Sequence, residues 1–200
     1  MRVTMNPVSY LASPLWSTSK AAWFSNAAQS GGLLASSVGP HLVDLMRWIG
    51  GPVIDVAAQT ITSLKEIPLA DRAALKDVDA DDGFAILGRY ASGALLTIRG
   101  VPVTYNGGEW DMSLHGDKGS LIVAGTELLM AGPGDARPQP IEQPDPVNPR
   151  TAIAGLFVDV VRAGRPAPEP TFVDGIASQA LLDAALRAGH TNQWEQVEQV

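Results

Sequence analysis

Apolar positions in this chain keep two different periods, and the change of period divides it into elements. From Arg2 to Tyr10 apolar and polar residues alternate loosely, as in a strand. Residues 11–30 keep no period; Trp16, Trp23 and Phe24 stand there among small polar residues. A helical period then runs from about Gly32 to Ile49. Pro40 interrupts it, because proline lacks the amide donor and disfavours helical geometry at the residue before it. The sequence therefore predicts a short helical turn to Val38, a break at Gly39, and a fresh helix with Pro40 in its first position. Leu42, Leu45, Met46 and Ile49 share an apolar face of that helix, and Gly50-Gly51-Pro52 ends it.

Strand signals follow. Val53 to Leu64 is rich in β-branched residues, and an acidic, polar loop runs from Lys65 to Asp82. Gly83–Tyr90 and Ala94–Val101 flank Ser92-Gly93 as a hairpin. Asp111–His115 and Ser120–Val123 flank Gly116-Asp117-Lys118-Gly119 as a second, and Thr126–Met130 is a further strand. Residues 132–150 hold six prolines without a period and read as an extended loop. Two helices close the chain. Thr151–Ala163 carries Ile153, Leu156, Phe157, Val160 and Val161 at helical spacing; Thr171–Arg187 opens on a threonine cap with Asp174 three residues on. Gly164 and Gly189 stand where helix stops belong. Segregated strands and helices predict an α+β fold: an open, mostly antiparallel β-sheet of about six strands with helices packed on one face. The bare face must be polar or find a partner, so self-association through it is expected.

Composition narrows the function. Two hundred residues, 46% apolar and 18% charged, suit a single globular domain spanning 1–200. A net charge of -7 argues against nucleic acid or an anionic membrane as partner. Without cysteine there is no disulfide, thiolate metal site or cysteine nucleophile. The N-terminus lacks the apolar core of a signal peptide, and no stretch approaches the ~20 apolar residues of a membrane span. The expected location is cytoplasmic.

Candidate chemistry centres on His41. In the first turn of its helix the imidazole meets the positive end of the helix dipole, which opposes protonation. A neutral imidazole accepts a proton from a hydroxyl or donates a hydrogen bond to it. Asp44 lies on roughly the same helix face and Ser37 four residues before His41. From spacing alone, the competing reading is a buried, hydrogen-bonded histidine beside an Asp44–Arg47 surface pair. His115 and His190 stand apart without ligand spacing, so no metal site is expected. Asp79, Asp81 and Asp82 read as a solvated loop. Tyr105 and Trp110 flank an amide-rich loop with the composition of a sugar pocket, though a plain connection explains it as well; Trp16, Trp23 and Lys20 are weaker ligand candidates. No Gly-x-Gly-x-x-Gly follows a strand, so no dinucleotide site is expected in these residues.

Trp23-Phe24-Ser25-Asn26-Ala27-Ala28-Gln29-Ser30-Gly31-Gly32-Leu33-Leu34 followed by Gly39-Pro40-His41-Leu42-Val43-Asp44 resembles the substrate-site signature of the glucose–fructose oxidoreductase / inositol dehydrogenase / MocA family. Gly116-Asp117-Lys118-Gly119-Ser120-Leu121, Phe157-Val158-Asp159 and Gly164-Arg165-Pro166 are similar to its later turns and helices, in the same order. The resemblance implies the C-terminal domain of a two-domain oxidoreductase. NAD or NADP would be bound by a Rossmann domain that these residues do not contain, supplied in cis or in trans. The implied reaction is oxidation of a secondary hydroxyl on a sugar or cyclitol, with His41 catalytic and Ser37 and Asp44 binding substrate. The family's aspartate four before the histidine is Ser37 here, and its Glu-Lys-Pro lysine has no counterpart. Alone, the chain is expected to be inactive. The alternative is a non-enzymatic sugar-binding or dimerisation module of the same descent; a two-carboxylate hydrolase is the weakest reading, because nothing fixes a second carboxylate opposite Asp44.

Overall fold

The computed structural model describes residues 2–5, 23–69, 72–75, 77–100, 110–145, 147–164, 166 and 170–200. Its centre is one nine-stranded sheet in the order β10-β9-β8-β7-β1-β6-β5-β2-β11. The strands are β1 (Arg2–Met5), β2 (Val53–Ile61), β5 (Gly83–Tyr90), β6 (Leu95–Gly100), β7 (Trp110–Gly116), β8 (Gly119–Ala124), β9 (Glu127–Ala131), β10 (Gln139–Pro140) and β11 (Glu195–Gln196). All neighbours run antiparallel except β1 and β6, which are parallel. A separate hairpin pairs β3 (Ile67–Leu69) with β4 (Arg72–Leu75). The helices are α1 (Ala27–Ser30), α2 (Gly32–Ser36), α3 (Val38–Gly50), α4 (Pro149–Ala163) and α5 (Phe172–Thr191).

The α+β reading stands, with nine strands in place of about six. Two-residue strands such as β10 and β11 carry no alternation to read, and β1 enters the middle of the sheet. Residues 65–82, read as a loop, hold the β3–β4 hairpin. The last helix runs past Gly189 and stops at Asn192, which takes the left-handed conformation. Gly164 is left-handed as expected and stops α4.

Alternation on β5 and β6 sets the two faces. Phe84, Ile86, Tyr90, Leu96 and Ile98 point inward and are buried. They meet Leu33 and Leu34 of α2, Leu42, Val43 and Met46 of α3, and Leu181 and Leu182 of α5. Small residues Ala184, Ala185 and Ala188 let α5 lie close along β2. The Tyr90 hydroxyl donates to the Met46 carbonyl at 3.0 Å, and burial pushes its pKa up. Alternate residues, Leu87 and Leu95 among them, face away from the helices and are exposed. The half of the sheet formed by β7, β8 and β9 contributes no fully buried apolar side chain among the described residues.

Two glycines decide how α2 and α3 sit. Gly32 has φ +88, and a β-carbon there would overlap the Asp81 carboxylate. That carboxylate accepts the Leu34 N–H at 2.9 Å, and the Asp81 carbonyl accepts the Leu33 N–H at 2.9 Å. Asp81 thus serves the free amides at the start of α2 from outside the helix. Burial raises its pKa, opposed by those amide hydrogen bonds. Asp79 accepts the Ala27 N–H at 2.7 Å, and Asp82 accepts the Ser63 and Leu64 N–H groups, each at 2.8 Å. The loop read as solvated therefore caps and ties neighbouring segments.

The break between α2 and α3 falls at Ser37, two residues before the expected place. Proline obstructs the carbonyl four residues back, which for Pro40 is that of Ser36, the last residue of α2. Its missing N–H costs nothing at the third position of α3, where amides have no partner within the helix. Gly39 bears the crowding before proline, and a β-carbon there would overlap the Leu34 carbonyl.

Three substitutions test this seat by thermal or urea unfolding. Asp81→Ala is expected to cost about 1–2 kcal/mol, the usual worth of an N-terminal cap. Asp81→Asn should cost less, since it keeps an acceptor and removes a charge that burial disfavours. Gly32→Ala should cost more than Asp81→Asn, because it combines a left-handed backbone with steric overlap. A separate test concerns Asp174, whose pKa is held below the ordinary carboxylate range chiefly by the Thr171 N–H. A lowered folded-state pKa gives stability that is present above the unfolded carboxylate range and lost as pH falls through the folded value. Asp174→Asn should therefore flatten the acid limb of the stability–pH curve and leave its alkaline side unchanged.

Candidate functional site

α3 carries His41 out of the break at Ser37. His41 is its fourth residue, one turn from the start, and its ring is exposed. Asp44 follows on the same side and is also exposed. The first turns of α5 come up against this side. Thr171 and Asp174 form a reciprocal cap there: the Thr171 N–H donates to Asp174 Oδ2 at 2.7 Å, and Thr171 Oγ1 accepts the Val173 N–H at 3.2 Å.

One more turn along α5, Ser178 Oγ donates to Asp44 Oδ1 at 2.7 Å. Arg47 Nη1 donates to Ser178 Oγ and to the Asp174 carbonyl, each at 3.3 Å. Arg47 and Asp44 therefore meet through Ser178, and the pair bolts α3 to α5. Sequence spacing brought out Asp44, its Arg47 neighbour and the Thr171–Asp174 cap but missed Ser178, which joins the first two to α5. The signal available was Ser178 standing four residues after Asp174, on the same side of α5.

Between the two helices lies a cleft of about 330 Å³. Pro40, His41 and Asp44 form one wall and Thr171, Asp174 and Gln179 the other. A second hollow of about 450 Å³ lies on the far side of Asp44, beside Arg47 and Trp48. Imidazole, carboxylates, hydroxyl and amide in a cleft with apolar walls match the donors and acceptors of a polyol, with His41 the one group suited to proton transfer.

His41 and Asp44 thus line one cleft. The reading of His41 as a buried histidine does not hold, because its ring is open to solvent. Ser37 is half-buried in the break, makes no capping hydrogen bond, and is not among the residues of the cleft. His115 Nδ1 pairs with Ser120 Oγ at 2.8 Å across β7 and β8, and His190 lies in the last turn of α5. Trp16, Lys20 and Tyr105 and the side chain of Trp110 lie outside the described residues. Among the described residues no three histidine, aspartate or glutamate side chains gather as a metal-binding group. No described helix is long and apolar enough to cross a membrane. The sequence offers no Gly-x-Gly-x-x-Gly turn from strand to helix.

Comparison with known proteins agrees with the fold and the signature. An oxidoreductase of Synechocystis sp., itself uncharacterized, is 26% identical over an alignment of 192 positions that covers 86% of this chain and 51% of the relative. The structure of levoglucosan dehydrogenase in complex with NADH superposes with a TM-score of 0.82 at 20% identity, over 100% of this chain and 58% of that one. The WlbA dehydrogenase of Bordetella pertussis, in complex with NADH and UDP-GlcNAcA, gives 0.70 at 24% identity, over 100% and 55%. The chain therefore spans little more than half the length of these relatives. Residues 7–122 match the family model described as the GFO/IDH/MocA C-terminal domain, and the chain belongs to that family.

Proposed function

We propose that the chain is the substrate-binding domain of an NAD(P)-dependent oxidoreductase that acts on a secondary hydroxyl of a sugar or cyclitol. The observation that carries this is the single cleft into which His41 and Asp44 both open. His41 holds the proton: as free imidazole it accepts it from the carbinol hydroxyl, and as imidazolium it returns it in the reverse direction. Asp44 has one oxygen engaged by Ser178. Its other oxygen accepts a neighbouring hydroxyl of the substrate and fixes which carbinol faces His41. Ser37, expected from the sequence to bind substrate, stands outside the cleft lining and has no part in this reading. The nicotinamide cofactor is the hydride carrier, bound by polypeptide other than these residues, and the isolated chain is silent. Levoglucosan dehydrogenase and WlbA, crystallised with NADH, favour this over a purely structural module.

The bare face of the sheet is the proposed seat of a second copy. Leu87 and Leu95 are exposed there, 42% and 58%, beside the buried Asp55, whose carboxylate accepts Arg89 Nε at 2.8 Å.

His41→Ala, made in the protein together with its cofactor-binding polypeptide, should lower kcat by about 100-fold or more, with KM changed far less. Asp44→Asn should chiefly raise KM. An unchanged rate in the first variant would reduce His41 to a structural residue. In the 200-residue chain alone, titration with a panel of sugars and cyclitols should move the His41 ring resonances in the NMR spectrum, whereas NADH should not bind. Tight NADH binding to the chain alone would overturn the division of labour. Sedimentation should show self-association that a Leu87→Glu, Leu95→Glu double variant abolishes; a strict monomer at high concentration would remove the bare face from the proposal.

A further inference from the structure

α4 is a 15-residue helix whose apolar side faces solvent. On that side Ile153, Phe157 and Val161 are 68%, 68% and 63% exposed, Leu156 is 49% exposed, and Val160 alone is buried. Thr151, Gly155, Asp159 and Arg162 occupy the opposite side. Both ends are well made. Asn148 Oδ1 accepts the Arg150 and Thr151 N–H groups at 3.0 and 3.3 Å, and Gly164 closes the helix. Such end signals do not by themselves hold a helix of this length in water, where most stability comes from packing an apolar face. Yet α4 takes part in none of the principal packing contacts among the described elements. An apolar surface of this kind marks an interface.

We propose that the Ile153–Phe157–Val161 side of α4 is the docking strip for a dinucleotide-binding α/β domain. The inference rests on the functional reading above and adds the surface through which the two halves meet. Three observations select this occupant. First, the chain covers 58% of the levoglucosan dehydrogenase chain, so the remainder of that chain is of domain size, and that structure holds NADH. Second, α4 and α5 are consecutive helices in the chain, and Thr171 and Asp174 at the start of α5 line the His41 cleft, so the strip and the cleft are close in sequence. Third, Phe172 at that same start is 94% exposed, which extends the apolar chemistry toward the cleft. A second copy has a better seat elsewhere, on the broad bare face of the sheet.

The test places the photocross-linker benzoylphenylalanine at position 157, with position 159 on the polar side as control, in the protein made in its native cells. The expected adduct joins position 157 to a polypeptide segment bearing a strand, Gly-x-Gly-x-x-Gly and a helix, at least about tenfold above the control. An adduct between two copies of this 200-residue stretch, or no excess over position 159, overturns the proposal. Hydrogen exchange supplies a second readout. α4 amides should gain about tenfold or greater protection when the 200-residue chain is joined to its dinucleotide-binding partner. Phe157→Glu should abolish that gain while α3 and α5 stay protected; an equal gain in the variant counts against the strip. Neither measurement depends on turnover. A cross-link to the dinucleotide domain with an unchanged rate in His41→Ala would keep the docking strip and discard the catalytic reading.

Discussion

A half-buried carboxylate outside the helix decides where α2 begins. Asp81 reaches across from the strand-side loop to the amide of Leu34, and only a residue without a side chain fits between them. Gly32 is that residue. A charge in this place is costly, which its raised pKa records, and the free amides of α2 offset the cost. With α2 seated, Leu33 and Leu34 enter the core, Pro40 forces the break after Ser36, and α3 leaves in the one direction that Gly39 permits. His41 is exposed at the end of this sequence of constraints. The glycine pair that reads as a substrate-site signature therefore fixes the helix that carries the histidine.

The cleft has a comparable logic. Asp44 and Arg47 are one turn apart on α3, an arrangement that on its own predicts a weak surface pair. Ser178 changes this by standing between them and tying both to α5. A carboxylate with one oxygen engaged presents the other in a defined direction, whereas a solvated one turns freely. The same contacts place Thr171 and Asp174 across from His41. Helix packing and site geometry are here a single set of hydrogen bonds, and a loss of either disturbs both.

Much of this was legible along the chain. The Ser92-Gly93 turn identified the β5–β6 hairpin, the apolar spacing of α3 and α4 identified those helices, and the threonine cap identified α5. What escaped had physical reasons. The four-residue α1 and the two-residue strands β10 and β11 are too short for any period to show. The break falls at Ser37 and not at Gly39 because glycine relieves the crowding before proline, while the carbonyl four residues back stays obstructed. The three aspartates of residues 79–82 looked like a solvated run, since nothing in sequence shows that unpaired helix amides lie opposite them. Ser178 lies 134 residues from Asp44, and no local rule pairs two residues at that separation. The tertiary pairings decide the site, and they are the part a linear reading reaches least.

The exposure of α4 also bears on how its partner is attached. Burying Ile153, Leu156, Phe157 and Val161, each already partly covered, contributes roughly 1–2 kcal/mol apiece, or about 4–8 kcal/mol together. Bringing two free molecules together costs about 4–15 kcal/mol in lost translation and rotation before any other ordering. A strip of this size therefore holds a free partner weakly and a tethered one firmly, because a short linker raises the effective concentration to the millimolar range. Such a strip would suit a tethered domain better than a free one. A contact of this strength would also be weak enough to open and close.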